Sequence, residues 1–269
     1  MKTIIITGGS SGIGAAAARA LRERGHTVAI TGRSPATLAL AKEIGADAFL
    51  ADFAKLSDVR KLAEELLARY PRIDVLANNV GGVIATRQVT EDGHEKTLQV
   101  NHLGGFLLTL LLRERLEASG ATVINTSSGA HHMGRLDLED MESERSYSSW
   151  RAYGTGKLMN ILHAAEINRR FQGVHGVSFH PGVVGTGFGR EGGLMTRLVY
   201  AWPLSRFMLT PEKGADTLVW LATTAPGTDW TPGEFYVKRK PAPKSAQAAD
   251  AALAVRLWDW SESVTWVTL

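Results

Sequence analysis

The stretch that decides the fold is residues 2–14, Lys2-Thr-Ile-Ile-Ile-Thr7-Gly-Gly-Ser-Ser-Gly12-Ile-Gly14. Its β-branched apolar run is typical of a strand buried in a parallel sheet. After the glycine turn, four consecutive alanines at 15–18 and Leu21 favour a helix, and Gly25 follows where a helix C-cap is expected. A strand, a glycine turn and a helix in this order place a helix N-terminus where it can bind a pyrophosphate group.

The rest of the chain continues the alternation of strands and helices. We predict further strands at 27–31, 48–50, 75–77, 122–126, 176–180 and 235–237, and helices at about 36–44, 57–69, 93–117, 151–171 and 212–224. This alternation predicts an α/β fold: one Rossmann domain over residues 1–269, with a doubly wound parallel sheet of about seven strands and helices on both faces. Residues 241–251 are expected to form a surface connector, followed by a short Trp-rich helix.

Composition fits a globular protein and excludes several other classes. The 269 residues are 44% hydrophobic and 21% charged, with a net charge of +3 and basic residues that are scattered. Without a basic stripe we expect no nucleic-acid partner. The chain has no cysteine, which excludes disulfides and cysteine-ligated metals. His131 and His132 lack further ligands at metal-binding spacing, so we expect no metal site.

The N-terminus leads directly into the first predicted strand. Residue 2 already belongs to the apolar run, so we expect neither a signal peptide nor an N-terminal membrane anchor. We also expect no transmembrane segment. The resulting expectation is a cytoplasmic protein.

A second motif suggests acid/base chemistry. Tyr153 and Lys157 stand four residues apart in a predicted helix, so their side chains share one face. A free tyrosine, with a pKa of about 10, exchanges protons poorly near neutrality, and a neighbouring ammonium favours its ionised form. Gly154 and Gly156 weaken the helix by roughly 1 kcal/mol each relative to alanine, which indicates close approach of another element or of a cofactor. Taken alone, so short a pattern favours an accidental pair on a solvated helix surface.

Several motifs in one order carry a resemblance to a known family. The glycine turn, Asn78-Asn-Val-Gly81, Asn101, Ser128, Tyr153-x-x-x-Lys157 and His180-Pro-Gly-Val-Val-Gly-Thr186 together resemble the short-chain dehydrogenase/reductase family over nearly the whole chain. Residues 127–135 and 256–261 and the long gap before Tyr153 look like its retinol-dehydrogenase-type branch. The resemblance implies hydride transfer between a substrate carbon and a nicotinamide, coupled to proton exchange at the substrate oxygen.

The resemblance also implies roles for individual residues. Tyr153 is the expected acid/base, while Lys157 tunes it and anchors the nicotinamide ribose. Ser128, rather than Ser127, is expected to hold the substrate oxygen. Asn101 is expected to hold a water that links Lys157 to solvent; the alternative is a side chain bonded to backbone at a helix kink. The cofactor-binding residues implied are Thr7, Gly8, Ser10, Ser11, Gly12, Ile13, Gly14, Arg33, Asp52, Phe53, Asn79, Val80, Gly81, Lys157, Pro181, Gly182, Val184 and Thr186.

The choice of cofactor depends on the end of the second strand. Gly32 stands where an acid would bind the adenine-ribose 2′-hydroxyl of NAD. Arg33 follows, and its guanidinium can bind the 2′-phosphate of NADP. We therefore expect NADP(H) in preference to NAD(H). The alternative makes Arg33 a solvated turn residue or a side chain stacked on adenine in an NAD enzyme.

Two segments bear on the substrate. Residues 131–149 form an inserted loop that must fold back for the Ser128 and Tyr153 hydroxyls to meet. Residues 189–209 are too apolar for a free loop, and the resemblance implies a lid over a pocket for a bulky hydrophobic substrate; an oligomer interface or membrane-surface patch is the alternative. We expect an NADP(H)-dependent oxidoreductase that interconverts a hydrophobic ketone or aldehyde and its alcohol, with a homo-oligomer left open. The alternatives are a reductase of carbon–carbon double bonds and a non-catalytic dinucleotide-sensing regulator.

Overall fold

A computed structural model describes residues 1–184 and 208–266, and an eight-stranded sheet forms its centre. The strands are β1 (Thr3–Ile6), β2 (Thr27–Gly32), β3 (Asp47–Leu50), β4 (Val75–Asn78), β5 (Thr122–Thr126), β6 (His175–His180), β7 (Phe235–Val237) and β8 (Lys240–Pro241). Their order is β3-β2-β1-β4-β5-β6-β7-β8. The first seven pair in parallel, as predicted, and β8 runs antiparallel to β7.

The eighth strand is the one that the sequence did not predict. Lys238 and Arg239 take left-handed backbone angles, with φ of 51° and 62°, and these reverse the chain so tightly that Lys240 pairs with Val237. Such angles are uncommon for residues other than glycine, asparagine and aspartate. The hairpin therefore lacks the glycine, asparagine or aspartate from which a tight turn is usually predicted.

The helices are α1 (Gly12–Glu23), α2 (Pro35–Ile44), α3 (Leu56–Arg69), α4 (Lys96–Leu98), α5 (Gly104–Leu111), α6 (Arg113–Ser119), α7 (Ser149–Arg170), α8 (Pro211–Thr223) and α9 (Ala251–Trp266). The single helix predicted over 93–117 is corrected in three respects. It is interrupted at Leu112, between α5 and α6. It begins only at Lys96, where the Glu95 carboxylate caps it by accepting from the N–H groups of Thr97 and Leu98. It also contains a π-helical turn, Gln99–Leu103, between α4 and α5.

Alternate residues of β1 pack into opposite layers, because successive side chains of a strand point to opposite faces. Ile5 lies in one apolar cluster with residues of α3 and α5. Ile4 and Ile6 lie in another with residues of α1 and α8. Both faces of the sheet are thus covered, which explains the continuous apolar run of the first strand.

The C-terminal helix α9 is longer than the short helix predicted, at 16 residues. Its Leu253 and Leu257 share an apolar cluster with Leu158 and Ile161 of α7. Trp258 packs edge-on against Phe106, with ring centres 4.9 Å apart. This burial stabilises the helix, which therefore forms part of the core.

The edge of the sheet at the carboxyl ends of β1, β4, β5 and β6 is where a ligand crevice is expected in this topology. The chain leaves β1 towards β2 and β3 and then crosses to β4 on the other side of β1. Adjacent connections that run in opposite directions open a crevice at the strand ends. No helix within residues 1–184 or 208–266 is long and apolar enough to cross a membrane.

Candidate active site

The glycine turn joins β1 to α1 at this edge. Gly8 and Gly12 have φ of 65° and 55°, in the left-handed region that glycine adopts without strain. A Cβ built at Gly14 would stand 2.3 Å from the carbonyl oxygen of Gly8. Only glycine therefore lets the first turn of α1 lie on the loop, and the exposed backbone at a helix N-terminus suits a phosphate.

Thr7 connects the turn to the end of β4. Its hydroxyl accepts from the N–H groups of Asn79 and Val80 at 2.9 and 3.1 Å. The Asn79 amide in turn donates to the carbonyl of Thr7 at 3.0 Å. Asn79, at the end of β4, thus holds the glycine turn against the neighbouring strand, whereas Asn78 bonds to Thr109 and Asn125 instead.

A cavity of about 660 Å³ runs along the strand ends from the glycine turn to α7. It reaches Tyr153 and Ser127, and of the predicted cofactor-binding residues it is lined by Gly8, Ser10, Ser11, Gly12, Ile13, Arg33, Asp52, Phe53, Asn79, Val80, Gly81, Lys157 and Pro181. These residues fit an extended dinucleotide, because an open glycine backbone stands at one end and a tyrosine–lysine pair at the other.

Other predicted residues lie behind or beside this cavity. Thr7 and Asn101 line a second cavity of about 10 Å³ behind the first. Among the predicted residues that the structure describes, Gly14, Ser128, Gly182 and Val184 also stand off the wall of the large cavity. Thr186 and the greater part of the predicted lid, 189–207, lie outside the described residues.

Part of the cavity wall consists of residues that were not predicted from the sequence. Val83 and Ile84 follow the predicted Gly81, and Lys96 and Val100 precede Asn101. Lys96 begins α4 and Val100 lies in the π-helical turn that follows it. The predicted site residue Asn101 directly follows Val100, and this proximity was the sequence feature that pointed to the segment.

Tyr153 and Lys157 meet on α7 as the spacing predicted. The Lys157 Nζ atom lies 5.5 Å from the centre of the Tyr153 ring. Their exposed fractions are 6% and 2%, and desolvation by this burial lowers the pKa of Lys157 to about 7. The Lys157 amine donates to the carbonyl of Thr126 at 3.2 Å. With this lowered pKa, the Lys157 amine gains or loses its proton near neutral pH.

The two glycines between them have close neighbours, which explains their presence in a helix. A Cβ built at Gly154 would stand 2.5 Å from the carbonyl oxygen of Ala130. One built at Gly156 would stand 3.0 Å from the Cβ of Asn101. Both contacts bring other segments against the helix beside the tyrosine and the lysine.

Asn101 lies in the π-helical turn and bonds to backbone through both ends of its amide. Its Oδ1 atom accepts from the N–H of Gly82 at 3.1 Å. Its Nδ2 atom donates to the carbonyls of Gly82 and Thr97, both at 2.9 Å. This is the backbone-bonded side chain at a helix distortion that was the alternative for Asn101. The water-holding role stays a prediction.

The two candidate serines have different partners. The Ser127 hydroxyl is buried and donates to the carbonyl of Lys157 at 2.7 Å. The Ser128 hydroxyl accepts from the N–H of Ala130 at 3.2 Å, so its own proton is available to another acceptor. The large cavity is lined by Ser127, so position alone favours Ser127 and hydrogen bonding favours Ser128.

The inserted loop, residues 131–149, folds against the wall of the cavity. Glu142 accepts from the N–H of Glu95 at 2.6 Å and pairs with His94 at 2.9 Å, and this bond raises the pKa of His94. The Tyr147 hydroxyl donates to the carbonyl of Ile84 at 2.8 Å. The loop thereby braces the segments that carry Ile84 and Lys96.

His131, the first of the two adjacent histidines, has structural partners. His131 is buried, and its Nδ1 atom lies 2.7 Å from the carbonyl of Ser128. Its Nε2 atom accepts from the N–H of Ser245 at 3.3 Å. Over the part of the chain that the structure describes, no three histidine, aspartate or glutamate side chains are grouped to hold a metal ion.

At the end of β2, the Thr37 side chain occupies the space that an acidic side chain at position 32 would need. A Cβ built at Gly32 would stand 2.4 Å from Oγ1 of Thr37 and 3.1 Å from Oγ of Ser10. Thr37 is fully buried at the start of α2. Glycine at position 32 is thus required by packing.

Known proteins resemble this chain over most of its length. A family model for the short chain dehydrogenases matches residues 2–191. DnrU of Streptomyces sp. (strain C5), to which a daunorubicin C-13 ketoreductase activity is provisionally ascribed, is 48% identical over 268 residues, 97% of this chain and 91% of DnrU. Retinol dehydrogenase 11 of Homo sapiens is 38% identical over 271 residues, 97% of this chain and 84% of that protein.

A solved structure of an uncharacterised protein from Mycobacterium paratuberculosis has a similar fold over its length. It superposes with a TM-score of 0.80 at 31% identity, over 98% of this chain and 93% of that one. The sheet and the helices that position the site are therefore shared with an experimentally determined structure.

Proposed function

This chain belongs to the short-chain dehydrogenase family and is an NAD(P)-dependent oxidoreductase acting on CH–OH or C=O groups, and we propose that it uses NADP(H) to interconvert a hydrophobic ketone or aldehyde and its alcohol. One observation carries this proposal. A buried tyrosine–lysine pair, Tyr153 and Lys157, lies at one end of a cavity that begins at the glycine turn.

Tyr153 is the proposed acid/base. A bound nicotinamide dinucleotide supplies or accepts the hydride. In the reductive direction the Tyr153 phenol gives its proton to the substrate oxygen, and in the oxidative direction the phenolate takes it back. Lys157, with its Nζ atom 5.5 Å from the ring centre, favours the phenolate when it is charged. The Thr126 carbonyl, which accepts from that amine, keeps it beside the ring.

Ser128 is the proposed donor to the substrate oxygen. Its hydroxyl already accepts from Ala130, which orients the oxygen and leaves the proton for a ligand. The Ser127 hydroxyl instead donates its hydrogen bond to the backbone carbonyl of Lys157. A donor aimed at a developing negative charge stabilises the transition state.

Preference for NADP(H) is supported by the end of β2. Arg33 lines the cavity beside Ser10 and Ser34, and a guanidinium binds a phosphate through charge-assisted hydrogen bonds. The buried Thr37 hydroxyl excludes a side chain at position 32, and with it the carboxylate that an NAD-selective site would use.

A hydrophobic substrate is supported by the cavity and by the relatives. Val80, Val83 and Ile84 contribute apolar side chains to the wall. Two relatives are named for daunorubicin and for retinol, and both of these compounds are bulky and ring-bearing. An apolar wall with a few polar groups is the usual composition of a small-molecule pocket.

The proposal is tested by assaying the purified chain against ketones, aldehydes and alcohols, following the near-ultraviolet absorbance of the reduced cofactor. We expect NADPH-dependent reduction of bulky ketones or aldehydes. Including α,β-unsaturated ketones, with the products identified by NMR, distinguishes carbonyl reduction from reduction of the double bond. Tight NADPH binding without turnover across the panel would favour the regulator instead.

A further inference from the structure

The carbonyl of Thr126 holds two side chains of α7. Besides the Lys157 amine at 3.2 Å, it accepts from the Asn160 amide nitrogen at 3.1 Å. Asn160 follows Lys157 by three residues, so both reach the end of β5 from the same face of the helix. Asn160 is buried, at 5% exposure.

Asn160 is itself held by a chain of buried polar groups. Its Oδ1 atom lies 3.4 Å from Nδ1 of His102 in the π-helical turn. On the far side of that ring, His102 Nε2 lies 3.0 Å from the hydroxyl of Ser261 on α9. The Asn160 backbone carbonyl also accepts from the Asn125 side chain at 3.2 Å. The amide orientation is thus determined by partners from β5, the π-helical turn and α9.

We propose that Asn160 is a positioning residue for Lys157, acting through the Thr126 carbonyl that the two side chains share. A carbonyl oxygen has two lone pairs. With the Asn160 amide on one of them, the Lys157 amine is directed to the other, and so towards Tyr153. A lysine side chain has four flexible carbons and a compact charge, so it needs such a restraint to keep one position. This inference rests on the proposed role of Lys157 in the reaction.

The histidines near Lys157 and Asn160 carry no charge near neutral pH, so the restraint acts through hydrogen bonds and not through an ion pair. The titratable groups that the structure describes around the Lys157 and Asn160 side chains are Tyr153 and His163 on α7 and His102 in the π-helical turn. Burial lowers the pKa of His102 to about 4 and that of His163 well below its usual value, so both rings are uncharged near neutral pH. Gly81, which also lies against the amine, does not titrate, and neither does Asn101, whose Oδ1 atom lies on the same side of Gly81.

The decisive comparison uses two asparagines of α7 that each donate to a backbone carbonyl of a neighbouring strand. Asn168 donates to the carbonyl of Gly176 on β6 at 2.9 Å, as Asn160 donates to Thr126 on β5, but Asn168 lies two turns farther along the helix. We expect Asn160→Ala to lower kcat by about 10- to 100-fold, the scale of a small misplacement in an active site, and to weaken NADPH binding measured by fluorescence. Asn168→Ala should lower the Tm but leave kcat and NADPH binding unchanged.

A second variant reports on Lys157 directly. Asn160→Asp keeps the shape of the side chain and places a carboxylate beside the amine, which should raise the pKa of Lys157. NMR titration of the isotopically labelled lysine in the cofactor-free chain measures this, and it requires no turnover. The inference is overturned if Asn160→Asp leaves this pKa unchanged, or if Asn160→Ala resembles Asn168→Ala in kcat and NADPH binding.

The two proposals can fail separately. If Tyr153→Phe abolishes turnover while Asn160→Ala does not alter it, only the positioning role is wrong. If Tyr153→Phe retains full turnover, the acid/base assignment and the positioning role both fall.

Discussion

Gly81 lies directly against the Lys157 amine. A Cβ built at Gly81 would stand 2.6 Å from Lys157 Nζ and 2.6 Å from Asn101 Oδ1, closer than non-bonded atoms tolerate. The neighbouring Gly82 is different, since a Cβ there would meet no described heavy atom within 4 Å. A methyl group is therefore crowded at position 81 and not at position 82. Comparing alanine at the two positions distinguishes an effect of crowding Lys157 from an effect of reduced loop flexibility.

We expect Gly81→Ala to lower kcat by at least about tenfold, because the added methyl group must displace the Lys157 amine or the Asn101 amide. Gly82→Ala should lower kcat much less, because its methyl group displaces neither of these groups. Steady-state kinetics and thermal unfolding of both variants measure the difference. Similar kinetic losses in the two variants would show that loop flexibility, not the contact with Lys157, is what position 81 requires.

Tyr153→Phe should lower kcat by at least about 100-fold, the usual scale for loss of a general acid/base. NADPH binding should hardly change, because the phenylalanine keeps the ring and removes only the hydroxyl. Lys157→Ala should reduce both kcat and NADPH affinity. Single-turnover kinetics and fluorescence titration with NADPH test these expectations. A Tyr153→Phe enzyme with normal single-turnover rates would remove the tyrosine from the mechanism.

Ser128→Ala should cost about 2–4 kcal/mol of transition-state stabilisation, measured as a fall in kcat/KM. Ser127→Ala should instead cost about 1 kcal/mol of folding free energy, because it removes the hydrogen bond to the Lys157 carbonyl. Its kcat/KM should change much less. Kinetics and denaturant unfolding on both variants separate the two effects, and the reverse ranking in kcat/KM would assign the substrate oxygen to Ser127.

NADPH should bind more tightly than NADH by a few kcal/mol, the range for charge-assisted hydrogen bonds to an ionised group. Arg33→Ala should remove most of this preference while leaving NADH kinetics almost unchanged, and added salt should narrow the gap. Measuring kcat/KM with both cofactors decides the point. A preference for NADPH that survives in Arg33→Ala would transfer the selection to Ser10 or Ser34.

Changing the cofactor preference from NADPH to NADH requires two substitutions in this structure. Gly32→Asp alone would force its Cβ against the Thr37 hydroxyl, 2.4 Å away, and should destabilise the fold. Combining it with Thr37→Ala opens that space. We expect the double variant to recover stability and to shift preference towards NADH, because the new carboxylate repels the 2′-phosphate.

The cofactor-free chain should gain stability as the pH rises from about 7 to 10.5, because burial lowers the pKa of Lys157 to about 7 in the folded chain from the 10.5 of an exposed lysine. In that window the unfolded chain holds a proton that the folded chain has lost, and below it the buried charge costs its full penalty. Lys157→Met should therefore be more stable than wild type by a few kcal/mol below about pH 7. The gap should close by about pH 10.5, as followed by denaturant unfolding; a gap independent of pH would contradict this.

The sequence by itself determined those features whose geometry is local. The apolar run before Thr7 and the glycines after it predicted a strand, a turn and a helix, because chain stereochemistry and propensity act over a few residues. The four-residue spacing of Tyr153 and Lys157 placed both side chains on one helical face for the same reason. The alternation of these elements then predicted a parallel sheet, since few topologies satisfy it.

Only the tertiary structure decided the contacts between residues far apart in the chain. Thr37 fills the space beside Gly32, Gly81 crowds Lys157, and Asn160 shares the carbonyl of Thr126 with that lysine. The π-helical turn around Asn101 and the β8 hairpin likewise depend on packing and on unusual backbone angles. Residue type and spacing describe what a segment can do locally, but which distant atoms meet is set by how all the elements pack together.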